Sequence, residues 1–464
     1  MPFICFILLL LVFLVSGYGC LRLIGFRPDN LLWLCLCMLT GFGIVSFIPF
    51  LMELLFIPLT GFSITLALAI CTGVFAIPAC YKFQKISVPR PKMPALYLWP
   101  FLLVFLFIAF LSIWRCYYNP VSARDMIVGP AVIAKTALSE HTMVNSVFSL
   151  NHDGNNNQFK PPSITALQII YQMAGFAFGQ VWLAVLSVFF SLFLYRVMIT
   201  KVHPLIAAAL LLLFTAIPEM FAYTYMIIYD YPNMIYFMLS CYFLYAYQED
   251  RQWKHVLLSA LMMGFATYFR AETLFLAVML TPAILLSLYQ AKWPLKKWLA
   301  PMFCFVLVPA FAYILPNSIY NNYYLPVHYD IGGLLNKDLS DLGPLVQRFG
   351  DMNTKLLFSK LAIALYAYFT YIFLTILIIE LVWKRRLSRE SRYWLFTILV
   401  VYLCLPLLGF LLPLMDLFNT TKRGLFKLFP LMLLYMVSSA PLQQLSAAIR
   451  RWEEGPAAEV QSVQ

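Results

Sequence analysis

Long apolar runs alternate with short polar segments along almost the whole chain. A helix needs about 20 mostly apolar residues to cross a bilayer, so this pattern predicts about thirteen membrane spans. Their approximate bounds are 3–18, 31–56, 61–80, 97–114, 180–199, 204–223, 232–248, 255–270, 272–289, 299–316, 361–383, 393–413 and 425–446. The predicted fold class is therefore all-α, a polytopic membrane helical bundle. No basic residue precedes the first run, so we expect it to be retained as a span rather than cleaved as a signal peptide.

One apolar segment, 163–178, is too short to count as a span. It follows Pro161 and Pro162, and it carries Gln168 and Gln172. We predict that this segment forms a short helix lying at the outer membrane interface.

Basic residues orient the bundle, because Lys and Arg concentrate in cytoplasmic loops. With 163–178 left out of the count, about 20 of the 32 basic residues fall on one side and about 12 of the 20 acids on the other. Counting 163–178 as a span would instead put the densest basic loop, 384–392, outside. We therefore predict an outer N-terminus, a cytoplasmic C-terminus and two long extracytoplasmic loops, 115–179 and 317–360.

Composition supports a membrane protein and excludes other classes. The chain is 62% hydrophobic and only 11% charged, whereas soluble domains are nearer a quarter charged. Basic cytoplasmic loops explain the net charge of +12, and no basic run with interleaved aromatic residues suggests a nucleic-acid partner. The ten cysteines lie mostly inside apolar runs and show neither a disulfide framework nor zinc-site spacing.

Asp125 is the most informative single residue. It follows an apolar run, 98–114, by about ten residues and stands near the start of the first long outer loop. A carboxylate at that position can act as a general base on an acceptor hydroxyl. The alternative is structural, since 126–138 has the pattern of a short helix and Asp stabilises a helix N-terminus.

Further polar residues follow in the same loop. The segment 151–160 includes His152, Asp153 and Lys160, which suit a sugar-binding surface with a cation near a phosphate. A turn-rich loop explains the same composition, because Asn, Asp and Gly favour turns.

Four more charged residues fall at predicted outer ends of spans, where ionisable groups indicate function. Asp230 precedes a span, although Asp-x-Pro is also a common helix start. Arg270 and Glu272 share a tight outer hairpin, where they have the alternative of pairing only with each other. Arg423 lies in a basic segment at the start of the last span, suited to a phosphate or to lipid headgroups.

We expect no metal and no other cofactor. His152, His328 and Asp330 are of metal-binding types, but they are widely spaced and form no pair four residues apart. No glycine-rich phosphate loop or dinucleotide fingerprint occurs either.

These features, in this order and on one side, resemble the GT-C superfamily of integral membrane glycosyltransferases, which includes protein O-mannosyltransferases and lipid A aminoarabinose transferases. The resemblance covers roughly residues 97–440. It is carried by Asp125, by the Lys-Pro-Pro step at 160–162, by the Asp-x-Pro step at 230–232, by the Gly-x-Ala…Arg-x-Glu segment at 264–272 and by the basic start of a late span at 423–430.

The resemblance implies an inverting transfer of a sugar from a polyprenyl phosphate to an envelope acceptor, at the outer face of a bacterial inner membrane. Asp125 would be the catalytic base. Substrate contacts would come from Lys160, His152, Asp153, Asp230, Arg270, Glu272 and Arg423. The second outer loop, with His328, Asp330, Asp338 and Asp341, would cover the site.

The implied organisation has N-terminal spans at 1–96, a catalytic region at 97–446 and a cytoplasmic tail at 447–464. One departure concerns the acceptor: protein O-mannosyltransferases have Asp-Glu where this chain has Asp125 and Met126, which weakens the case for a protein acceptor. Alternative functions are a flippase or transporter for a lipid-linked sugar, an O-antigen ligase or polymerase, and a non-enzymatic assembly subunit.

Overall fold

The computed structural model describes residues 2–26, 31–80, 95–122, 126–149, 159–290, 296–326, 336, 340–384, 387–413 and 415–454. All regular elements within these ranges are helical, so the all-α prediction is confirmed.

The first half of the chain supplies ten α-helices, several of them shorter than a membrane span. They are α1 (Pro2–Ile24), α2 (Leu31–Val45), α3 (Ile48–Leu54), α4 (Gly61–Cys80), α5 (Trp99–Tyr118), α6 (Val132–Glu140), α7 (Ser163–Met173), α8 (Val181–Met198), α9 (Pro204–Thr215) and α10 (Pro218–Tyr223).

The second half supplies nine more helices and several single helical turns. The helices are α11 (Asp230–Asp250), α12 (Trp253–Phe269), α13 (Thr273–Gln290), α14 (Lys296–Ile314), α15 (Gly343–Asp351), α16 (Tyr368–Lys384), α17 (Arg389–Leu411), α18 (Leu428–Ser438) and α19 (Ala440–Glu454). Two consecutive turns, Leu417–Thr421 and Lys422–Leu425, lead from α17 to α18.

Eight helical segments in the described ranges are long and apolar enough to cross a membrane, and a bent pair makes up to nine. Each of the thirteen predicted spans contains a helix, but several of these helices are too short or too polar to count as a membrane span by this criterion. α9 has only 12 residues, and α11, with 21 residues, carries Asp230, Asn233 and Gln248. Most of α11 is buried among other helices, so its polar residues need not face lipid. The exact count of thirteen stays a prediction.

The segment predicted to lie at the interface has a different environment. Its helix, α7, has 11 residues and is too short to span a bilayer, as expected. Every residue from Ser163 to Tyr171 is buried. α7 therefore packs inside the protein instead of laying an apolar face on the membrane surface.

Glycines allow α1 to pack very closely between α2 and α4. A Cβ atom at Gly17 would lie 1.8 Å from the Cys37 carbonyl oxygen of α2, and one at Gly19 would lie 1.9 Å from the Phe75 carbonyl oxygen of α4. Small residues at such contacts are typical of membrane helix pairs, whose association depends on close backbone packing.

The last predicted span is broken, because α18 and α19 meet at an angle of 55°. Glu380 of α16 is fully buried beside the break. Its carboxylate accepts hydrogen bonds from the Ala440 amide (3.1 Å), from the Ser391 hydroxyl (3.3 Å) and from the Tyr435 hydroxyl (2.6 Å). The backbone donor freed by the break thus has a partner, which stabilises the bend.

Loops predicted to share a side do meet in the structure. Side-chain contacts at one end join Lys201 with Glu390, His203 with Glu453, and Arg389 with Glu249. These contacts link four segments that the basic-residue count places on the cytoplasmic side. Segments predicted to be outer gather in the same way around the charged cluster described below.

Cysteine labelling tests the predicted orientation. Asn156→Cys should react with a membrane-impermeant maleimide in intact cells, because 115–179 is predicted outside. Ser388→Cys should react only after permeabilisation, since it lies within the densest basic loop, 384–392. The starting protein would have its ten native cysteines replaced by serine or alanine. Labelling of position 388 but not of position 156 in intact cells would show that the orientation is the opposite of the one predicted.

Candidate active site

Two predicted site residues, Asp230 and Arg270, meet where α11 begins and α12 ends. Asp230 is the first residue of α11, and its side chain is 1% exposed. Arg270 directly follows α12, and its Nη1 lies 3.2 Å from Asp230 Oδ2. An acid in a first helical turn is favourable by itself, so Asp230 both begins the helix and forms a buried ion pair.

Glu272 extends this pair into a chain of alternating charges. Arg270 Nε donates to Glu272 Oε1 at 2.6 Å, and the buried Lys427 ammonium lies 4.0 Å from the same oxygen. Burial opposes the charge on Arg270, but Asp230 and Glu272 outweigh it and raise the pKa of the guanidinium. Burial likewise opposes the charge on Glu272, and Arg270 with Lys427 lowers the pKa of that carboxyl. Arg270 and Glu272 are therefore both held in their charged forms.

A second ion pair, absent from the sequence-based candidates, lies between α10 and the turn before α18. Lys422 Nζ is 2.7 Å from Glu219 Oε1, and the Tyr223 hydroxyl donates to the same oxygen at 3.0 Å. Tyr223 is also within electrostatic range of Asp230 and Arg423. Tyr223 therefore connects the Glu219–Lys422 pair by a hydrogen bond, and Asp230 and Arg423 by electrostatic interaction.

Lys160 reaches the same region through an aromatic ring. Its ammonium lies 5.4 Å from the ring centroid of Tyr229, a cation–π contact. Tyr229 immediately precedes Asp230, is buried and interacts electrostatically with Arg270. Five of the predicted site residues are therefore brought together at this end of the bundle: Lys160, Asp230, Arg270, Glu272 and Arg423.

The assembled group, called the charged cluster below, has more cations than anions. It contains five basic side chains and three carboxylates, which gives a formal charge of 5 − 3 = +2. The members are Lys160, Arg270, Lys422, Arg423, Lys427, Glu219, Asp230 and Glu272. A positive excess of partly and fully buried cations favours a phosphate, especially where arginines supply paired donors.

Two carboxylate oxygens of the charged cluster still have capacity to accept a hydrogen bond. Asp230 Oδ1 and Glu219 Oε2 are both buried, and neither has a hydrogen-bond partner among the described residues. Buried oxygens without partners are costly, and a bound sugar carries hydroxyl donors that satisfy them. The charged cluster thus offers cations for a phosphate and acceptors for hydroxyl groups.

Three predicted site residues, Asp125, His152 and Asp153, lie outside the described residues, as do His328, Asp330 and Asp338 of the second loop. Residues on both sides of Asp125 in the sequence have defined contacts. The Gln180 side-chain amide donates to the Asn119 carbonyl, and Met126 is buried in the main core. The roles assigned to all the predicted site residues, placed or not, stay predictions.

The described part of the chain contains no group of three His, Cys, Asp or Glu side chains able to hold a metal. Each carboxylate of the charged cluster is instead next to a cation.

Glu219 and Tyr223 were missed from the sequence because they lie within the predicted span 204–223. A carboxylate in a predicted span is itself a functional signal, so Glu219 was detectable. Tyr223 was not, because its role depends on which helices are neighbours.

Part of the charged cluster lies in a segment that is similar to a known protein family. The family model described as dolichyl-phosphate-mannose-protein mannosyltransferase matches residues 160–320, a range that includes Lys160, Asp230, Arg270 and Glu272. No curated protein and no solved structure is significantly similar to the chain. The predicted resemblance is thereby confirmed over this range, because residues 160–320 match a GT-C family domain.

Proposed function

We propose that this protein transfers a sugar from a polyprenyl phosphate to an envelope acceptor at the extracytoplasmic face of a bacterial inner membrane. The observation that carries the proposal is the charged cluster, with its excess of cations at the end of the bundle predicted to be outer. All three of its carboxylates and two of its five cations lie in the segment that the mannosyltransferase family model matches. A lipid-linked phosphate at the membrane surface is the donor group that fits this charge.

The proposed reaction is a single displacement that inverts the anomeric carbon. The Asp125 carboxylate takes the proton of an acceptor hydroxyl as that oxygen attacks the anomeric carbon of the donor sugar. The bond between this carbon and the phosphate oxygen breaks, and polyprenyl phosphate leaves with the electron pair. Cations of the charged cluster stabilise the negative charge that develops on the leaving phosphate.

The carboxylates of the charged cluster have a different role in this proposal. Asp230, Glu219 and Glu272 each lie beside a cation. Arg270 and Lys427 lower the pKa of Glu272, which makes it a weaker proton acceptor. In this proposal these three residues position Arg270, Lys422 and the donor sugar.

A reconstituted assay tests this function against the transporter alternative. Purified protein in liposomes would receive a polyprenyl-phosphate sugar with a radiolabelled sugar group. We expect free polyprenyl phosphate to accumulate as the sugar is transferred to an acceptor or to water. Movement of intact donor across the bilayer without cleavage would instead identify a flippase. The described charges at the helix ends favour the enzyme, because transporters place binding charges near the midplane.

Arg423 should contribute to donor binding through charge and fork geometry. Arg423→Ala should weaken donor binding by about tenfold or more, since a hydrogen bond to a charged group contributes about 1.5–3 kcal/mol. Arg423→Lys should retain part of the affinity, because lysine keeps the charge but lacks the planar guanidinium that binds phosphate with two hydrogen bonds. Donor KM in the liposome assay measures both effects.

The matched control for this prediction is Arg450→Ala, which removes an exposed arginine of α19 from the predicted cytoplasmic side. Donor KM should be unchanged in that variant. If Arg423→Ala and Arg423→Lys also match the wild type, Arg423 anchors lipid headgroups only.

A further inference from the structure

A separate pocket lies beside the charged cluster, between α15, the end of α17 and the turn Leu417–Thr421. Its volume is about 300 Å³, near the lower limit for small-molecule sites. Polar side chains on its walls are Asn336, Gln347, Arg348 and Asp351, and Phe410 and Leu417 add apolar surface. Ligand sites commonly combine apolar walls with a few directed polar groups in this way.

Arg348 is held in the pocket wall but retains an unused donor. Its Nη2 donates to the Thr421 hydroxyl at 3.0 Å. Its Nε is buried and has no hydrogen-bond partner among the described residues. A buried donor without a partner is costly, so a ligand oxygen at this point has a ready contact.

Glycine at position 409 is what allows Arg348 to lie there. A Cβ atom at Gly409 would be 2.0 Å from Arg348 Nε and 2.1 Å from its Cζ. Any side chain larger than hydrogen would therefore displace the guanidinium from this position.

Charge distinguishes this pocket from the charged cluster. Arg348 is within electrostatic range of Asp416, and Asp351 pairs with Lys355 at 3.0 Å. These two cations and two carboxylates give a formal charge of 2 − 2 = 0, whereas the charged cluster has a formal charge of +2. A phosphate favours the charged cluster, whereas a ligand with hydroxyl groups and no net charge fits this pocket.

The pocket also has the right position for the second substrate of a transfer. Thr421, which binds Arg348, directly precedes Lys422, which pairs with Glu219 in the charged cluster. We propose that this pocket binds a neutral sugar residue of the acceptor. The inference rests on the proposed function, because it makes the acceptor a glycan or glycolipid instead of a protein.

Binding of simple glycosides to the protein in lipid nanodiscs tests the inference. The probes are methyl α-mannoside and methyl α-glucoside as neutral sugars, with methyl glucuronide and inorganic phosphate as anions. Saturation-transfer NMR should detect the neutral glycosides, and neither anion should displace them. Gly409→Ala should weaken glycoside binding about tenfold or more, because it displaces the charged donor Arg348. Gln347→Leu should weaken it by up to about tenfold, the upper effect of losing a neutral hydrogen bond.

The choice of variants separates a loss of binding from a failure to fold. Alanine is a better helix former than glycine, so Gly409→Ala is expected to fold. Gln443→Leu is the matched control for Gln347→Leu, since Gln443 is an exposed glutamine of α19 and does not line the pocket. Glycoside binding in this control should equal that of the wild type.

Each outcome separates this inference from the proposed function. Donor cleavage without glycoside binding would overturn the pocket assignment and leave the function standing. Glycoside binding that both pocket variants weaken, without donor cleavage, would support a sugar site and overturn the function. Unchanged binding in both variants, or displacement by either anion, would overturn the assignment of a neutral-sugar pocket.

Discussion

Asp125→Asn should lower the rate of sugar transfer by about 10²–10⁴-fold, while the protein melts like the wild type. Asparagine keeps the shape of the side chain but does not take a proton. The loss corresponds to roughly 3–5 kcal/mol of activation free energy. Release of polyprenyl phosphate in liposomes gives the rate, and melting in detergent gives the stability.

The same variant separates a base from a helix cap. Loss of a cap would cost about 1 kcal/mol of stability, and asparagine caps nearly as well as aspartate. Normal melting with near-normal transfer would therefore leave Asp125 as a cap and move the base to Asp153 or Asp230. Asp250→Asn is the matched control, because Asp250 lies at the other end of α11 from Asp230. This variant should transfer sugar at the wild-type rate.

Arg270→Ala should destabilise the protein by about 3–5 kcal/mol, the usual effect of removing one partner from a buried ion pair. Asp230 and Glu272, 1% and 14% exposed, would lose the cation that both contact. Among the described ion pairs, these two neighbouring carboxylates would then keep only the more distant contact of Glu272 with Lys427. Thermal melting in detergent should show the loss as a clearly lower midpoint.

An exposed arginine provides the comparison for this stability effect. Arg389 pairs with Glu249 while the two side chains are 48% and 45% exposed, and such surface pairs contribute about 0–1 kcal/mol. Arg389→Ala should therefore melt close to the wild type. Asp230→Asn should lower the stability less in the Arg270→Ala background than in the wild type, because the two groups interact. Strictly additive losses would show that Arg270 and Asp230 do not stabilise each other.

Helical architecture and the grouping of loops were predictable because both follow from local sequence patterns. Apolar runs specify helices in a bilayer, and basic residues mark one side. The ion pair between Lys201 and Glu390 joins two loops that the pattern places together. The break between α18 and α19 was not predictable, because it depends on Glu380 from a distant part of the chain.

The candidate site was predictable in its members but not in its contacts. Asp230, Arg270 and Glu272 were identified because charged residues at outer helix ends are unusual. The sequence did not reveal that Asp230 and Arg270 pair, because 40 positions separate them and only the packing of α11 on α12 brings them together. The Glu219–Lys422 pair depends in the same way on α10 lying near the start of α18.

Close packing of α1 between α2 and α4 bears on how the chain enters the membrane. All three helices lie within the first 80 residues, and their glycine-mediated contacts need nothing made later. They are therefore able to associate during translation, while the remaining helices are still being synthesised. Gly43 is different, because a Cβ there would lie 2.5 Å from the Phe265 ring of α12. A larger residue at position 43 should leave this early unit intact and prevent the later helices from docking on it.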